Sequence, residues 1–137
     1  MKFHREEIYH VFNKSITNFG IFKDPNNCSR FLETLDYYNC NLVKERFSWA
    51  IKKGKYIYKS VFLQKENQLF RLICYCIMPD HYHLLVRILK EGTFSKYIND
   101  LENSYTRFFN IKFKRKGPLW QSAFKSVRIK TTSNFYM

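Results

Sequence analysis

No acidic residue follows Glu102. From Asn103 to Met137 there are eight basic residues and no carboxylate side chain to offset them. Over the whole chain, 24 Lys and Arg stand against 11 Asp and Glu, a formal net charge of +13 in 137 residues. A field of one sign attracts polyanions. A basic surface that only aids solubility is the plain alternative. Against it, Phe, Trp and Gln are interleaved with the basic residues, which is the composition of a nucleic-acid face. Other things are missing too. No apolar run reaches the length of a membrane span, so no membrane partner is expected. The opening Met1-Lys2-Phe3-His4-Arg5-Glu6-Glu7 is polar and charged, unlike a signal peptide. The expected compartment is therefore the cytoplasm. There is no internal repeat and no low-complexity tract. A single domain over residues 1–137 is long enough to bury one core.

The four cysteines, Cys28, Cys40, Cys74 and Cys76, make no CxxC pair. Cys74 and Cys76 fall in a strand-like run and are expected to be half-buried thiols in a reducing compartment. A zinc site built from Cys-x-Cys and His-x-His is conceivable, since the pairs flank one turn. Structural zinc more often draws its ligands from tight loops.

Periodicity suggests the elements. Glu7 to Ile16 alternates loosely and reads as a strand. Asp24-Pro25 is a helix start, with Asp as cap and Pro in the first turn. That helix should turn Phe31, Leu32, Leu35 and Tyr38 inward and end near Asn39 or Asn41. Residues 42–65 mix Lys and Arg with Phe47, Trp49, Tyr56 and Tyr58. They are an excursion between core elements or a mobile basic flap, with a short strand from Tyr56 to Leu63. Leu69 to Met78 is a strongly apolar strand. Pro79-Asp80 turns the chain, and His81 to Leu89 returns as the second arm of a hairpin. Thr93 is a cap for a second helix, along which Phe94, Tyr97, Ile98, Leu101, Tyr105, Phe108 and Phe109 recur at helical spacing. It should fade near Lys112. A last strand runs from about Phe124 to Lys130. The order βαββαβ predicts an α+β, ferredoxin-like antiparallel sheet with both helices on one face.

Met78-Pro79-Asp80-His81-Tyr82-His83-Leu84-Leu85-Val86 carries the chemistry. On a strand, residues i and i+2 share a face. His81 and His83 would lie side by side on the face opposite the helices, with Tyr82 directed into the core. Paired imidazoles can share a divalent ion. Two satisfied, non-ligating histidines are the simpler alternative.

The run Ile77 to Leu85 closely resembles the His-hydrophobic-His signature of the single-tyrosine transposases, the HUH enzymes that move single-stranded DNA. A second block agrees: Asn103-Ser104-Tyr105-Thr106-Arg107-Phe108-Phe109-Asn110, followed by Lys116-Gly117-Pro118-Leu119-Trp120-Gln121. It is similar to the REP-associated tyrosine transposase branch. Tyr9-His10-Val11-Phe12-Asn13-Lys14 fits that group's first strand. The resemblance covers nearly the whole chain in the right order. It implies Mg²⁺ or Mn²⁺ at His81 and His83, polarising a scissile phosphate. It also implies a tyrosine nucleophile that forms a 5′-phosphotyrosine and releases a 3′-hydroxyl. Single-stranded or hairpin DNA would be the partner, and a homodimer is possible. A prokaryotic cytoplasm, on the nucleoid when DNA-bound, would be the setting.

The chain departs from that pattern in two places. The family's nucleophile lies on a helix after the last strand, with a polar metal ligand one turn later. Only Thr131 to Met137 follow Lys130, so the nucleophilic tyrosine and third ligand are expected beyond Met137, as in a fragment or a shortened gene. Tyr136 falls too early. Tyr105 is the weak fallback, and its spacing is that of a packing residue. The family's Trp-Gln-x-Arg-Phe reads Trp120-Gln121-Ser122-Ala123-Phe124, with Ala123 where an Arg would suit a phosphate.

The candidate DNA-binding residues are Arg107, Asn110, Lys112, Lys114, Arg115, Lys116, Trp120, Gln121, Lys125 and Arg128. The cations would neutralise phosphates, Gln121 or Asn110 would read a base edge, and Trp120 would stack on a base or plug the core. Two functions stay open. One is a metal-dependent transposase or nuclease. The other is a catalytically silent nucleic-acid-binding module of the same fold.

Overall fold

The computed structural model describes residues 2–54 and 65–130. It contains β1 (Ile8–Lys14), α1 (Pro25–Tyr38), α2 (Phe47–Lys52), β2 (Phe70–Met78), β3 (His81–Ile88), α3 (Phe94–Lys112) and β4 (Lys125–Ile129). The four strands form one sheet in the order β2-β3-β1-β4, with every neighbouring pair antiparallel. This is the α+β, ferredoxin-like arrangement that the order of elements implies. The expected strand from Tyr56 to Leu63 lies outside the described residues.

Alternation along the central strands decides which face is covered. In β3, Tyr82, Leu84, Val86 and Ile88 are buried, while His81, His83, Leu85 and Arg87 are not. In β1, Tyr9 and Val11 are buried beside them. These side chains meet Phe31 and Leu35 of α1 and Tyr97, Ile98, Leu101 and Tyr105 of α3 in one hydrophobic cluster. Both long helices therefore cover the same face, and the other face is left open.

The caps follow the sequence in part. The Asp24 side chain accepts from the Asn26 N–H at 2.8 Å, and Pro25 opens α1. Thr93 precedes α3 but makes no side-chain cap; its hydroxyl donates to Lys90 O instead. Asn39 ends α1 and serves β2. Its Oδ1 accepts from the Leu69 and Phe70 N–H groups and its Nδ2 donates to Phe70 O. Within the 42–54 stretch the chain forms α2, a short helix that residue spacing did not reveal.

One expectation is corrected. Cys74 and Cys76 are exposed, not half-buried. β2 is an edge strand, and both thiols stand on the face without helices, across from Leu85 and His83. The apolar look of β2 hid this: Tyr75 and Met78 are exposed as well. No helix among the described residues is long and apolar enough to cross a membrane.

Candidate metal centre and nucleic-acid face

The β2–β3 turn is held from behind. Phe22 N–H donates to Pro79 O and Ser15 N–H donates to Asp80 O, both at 2.9 Å. This fixes the start of β3, and with it His81 and His83, against β1. The two rings share the open face with centroids 5.1 Å apart, but their planes are nearly perpendicular at 86°. Each ring has a different partner. His81 Nδ1 lies 2.7 Å from Asp80 Oδ1. The bond from His81 holds the Asp80 carboxyl below its usual range, so the carboxylate accepts and His81 Nδ1 carries the proton. A neutral His81 then keeps its lone pair on Nε2.

His83 faces β1. Its Nδ1 lies 2.9 Å from His10 Nε2, and the rings stack with centroids 5.1 Å apart. Burial, followed by the neighbouring His10 and His81, lowers the His83 pKa. The ring is thus held neutral near pH 7, the form a metal requires. Of the two tautomers, the one with Nδ1–H donating to His10 leaves His83 Nε2 free to coordinate. Hydrogen bonds of this kind to the other ring nitrogen orient metal-binding imidazoles, so the donor chemistry of the pair fits a divalent ion. Among the described residues no cluster of three or more His, Cys, Asp or Glu side chains has metal-holding geometry. Two imidazoles would leave most of the coordination shell to water or phosphate, as hard divalent cations accept.

A cavity of about 410 Å³ opens beside the pair. Lys14, Lys125 and Gln121 border it with His81, His83 and Asn13. Beneath it lies a buried polar knot. Glu102 of α3 accepts on Oε2 from Asn13 Nδ2 at 2.8 Å and from Tyr82 O–H at 2.7 Å. Asn13 Nδ2 also donates to Ser122 O at 3.1 Å. Burial pushes the Glu102 pKa up to about 7, against the two hydrogen bonds that pull it down. The knot ties α3, β1, β3 and the segment before β4 together under the histidines.

The sequence candidates do not all gather here. Gln121 and Lys125 border the histidine cavity. Asn110 and Arg115 brace the 113–118 loop: Asn110 donates to Gly117 O, and Arg115 donates to Asn110 Oδ1 and Pro118 O. Lys112 reaches Asn27 Oδ1 at 2.6 Å and lies 3.6 Å from Asp24, tying α3 to the start of α1. Arg128 pairs with Glu7 at 2.9 Å. Lys114 and Lys116 are exposed on the loop. Arg107 stands on the helical layer, away from the histidines. Trp120 packs edge-on to Tyr82 at 5.6 Å and near Phe22, Phe31 and Tyr105, with its indole N–H donating to Glu102 O. Of its two roles, that position matches the core plug. Tyr105 is fully buried, its hydroxyl donates to Ile21 O, and burial raises its pKa. Tyr136 lies outside the described residues.

His10, Lys14, Asp80, Asn13 and Glu102 were not among the candidate site residues read from the sequence. His10 stands between buried Tyr9 and Val11, so alternation could have put it on the open face. Its meeting with His83 depends on strand register.

Known structures share this architecture. A REP-associated tyrosine transposase bound to a REP hairpin superposes with a TM-score of 0.61 at 12% identity, over 98% of this chain and 62% of the other. A protein of Deinococcus radiodurans R1 assigned to the transposases gives a TM-score of 0.55 at 14% identity, over 97% of this chain and 87% of the other. The fold is thus one found in transposases, and this chain spans about 62% of the length of the hairpin-bound one. No curated protein matches the sequence. The IS200-like transposase family model matches residues 32–135, and the chain belongs to that family.

Proposed function

We propose that this chain binds single-stranded or hairpin DNA across its open sheet face, with Mg²⁺ or Mn²⁺ held by His81 and His83. The observation that carries this is the pairing of the histidines on the uncovered face with Lys14 and Lys125 at the rim of one cavity. A cavity edged by lysines suits a phosphodiester, and Gln121 on the same rim is a donor and acceptor for a base edge. A divalent ion there would supply charge neutralisation on the phosphate oxygens. Asp80 and His10 would fix the tautomers of the two ligands. The hairpin ligand of the structural relative and the membership of the IS200-like family support the same reading. Breakage and rejoining would proceed by attack of a tyrosine oxygen on phosphorus, with the 3′-oxygen leaving. The phosphotyrosine bond would conserve the energy needed for resealing.

A second reading is a DNA-binding module without cleavage. It is favoured by Tyr105, whose hydroxyl is spent on a backbone carbonyl inside the core. Covalent capture separates the two: a labelled hairpin strand with Mn²⁺ yields a protein–DNA adduct only in the enzyme.

The metal site is tested by the His81→Ala/His83→Ala variant. Mn²⁺ binding, measured by calorimetry or electron paramagnetic resonance, should be lost while the thermal transition stays cooperative, because neither ring is part of the core. Unchanged Mn²⁺ affinity would refute the assignment.

A further inference from the structure

We infer that the groove between α1, α2 and α3 is a second site, one that takes an unpaired nucleotide of a single-stranded polynucleotide. It lies on the helical layer, remote from the histidine cavity. It extends the nucleic-acid reading of the protein but uses none of the residues of the His81–His83 face.

The groove encloses about 380 Å³, room for a base and its phosphate. Its charges are unbalanced. Both lining carboxylates already have partners: Glu45 pairs with Lys53 at 3.1 Å and Asp100 with Lys96 at 2.6 Å. Lys44, Arg46 and Arg107 also line it and have no carboxylate partner among the described residues. Three cations are left facing a concave surface, and a polyanion is the ligand that would neutralise them.

Trp49 selects among polyanions. Its side chain lines the groove and is 53% exposed. The Arg46 guanidinium lies 5.7 Å from its ring centroid and the Lys53 ammonium 5.6 Å. An open indole flanked by cations is the arrangement on which a base stacks while its phosphates meet the adjacent charges. An acidic peptide would satisfy the cations but would leave the indole face wet. Arg107, from the acid-free stretch after Glu102, thereby gains a role that the histidine face does not give it.

The test uses the full chain with a fluorescein-labelled short oligothymidylate, without hairpin and in EDTA, read by anisotropy. Trp49→Ala should weaken binding about tenfold or more, the loss expected for one stacked base. Arg46→Ala/Arg107→Ala should do likewise. Mn²⁺ binding, the readout of the histidine site, should be unchanged in Trp49→Ala and in Arg46→Ala/Arg107→Ala, so that the two sites fail separately. Trp49→Phe, which keeps an aromatic ring and serves if the alanine variant unfolds, should retain intermediate affinity. Affinity within about twofold of wild type for folded Trp49→Ala, or for folded Trp49→Phe together with folded Arg46→Ala/Arg107→Ala, would overturn the proposal. So would competition by polyglutamate as strong as that by oligothymidylate.

Discussion

Glu102→Gln should make stability much less dependent on pH. The Glu102 side chain is buried, and its carboxyl titrates at about 7 instead of the ordinary 4.5. The folded chain therefore holds this proton to higher pH than the unfolded chain does. Stability from neutral Glu102 is complete below about pH 4.5 and is lost as pH rises towards about 7. At about 1.4 kcal/mol per tenfold change in proton activity, charging the group inside the fold costs on the order of 3 kcal/mol. Glutamine avoids the charge and can keep the geometry. Asn13 Nδ2 and Tyr82 O–H both donate to the same oxygen, Oε2, and an amide oxygen has two lone pairs to receive them. Urea unfolding of variant and wild type, followed by circular dichroism at about pH 4 and pH 8, gives the measure. The stability of the variant relative to wild type should rise by on the order of 3 kcal/mol between the two conditions. Taking this difference cancels the histidine titrations common to both chains. A change below about 1 kcal/mol would refute the argument that burial dominates at Glu102.

Hairpin DNA affinity should fall with salt: two phosphate contacts on the duplex stem, from Lys14 and Lys125, predict a loss of about tenfold between about 50 and 200 mM, measured by anisotropy, and a flat response would contradict a charged docking face. Tyr105→Phe should cost about 1 kcal/mol in urea unfolding, the worth of one buried hydrogen bond. No measurable cost would mean that the bond to Ile21 O contributes nothing.

Local order was legible where a single strand or helix decided it. His81 and His83 share a face because residues two apart on a strand must, and Tyr82 between them enters the core for the same reason. The long helices were readable because Phe31 and Leu35 in α1, and Tyr97, Ile98, Leu101 and Tyr105 in α3, recur at the period of a helix. α2 was not: in a helix of six residues, two buried positions are too few to establish a period.

The sequence by itself determined the order of the four strands and two long helices, the uncovered face carrying two histidines, and the excess of cations, since these depend on residue type and local period alone. Tertiary structure decided the partners. Strand register set His10 against His83, and the crossing of α3 over β1 and β3 buried Glu102 beneath the histidine pair. Packing divided the basic residues between two faces of the molecule. Pairings across distant segments depend on how the chain closes in space, and no local pattern of side chains specifies that.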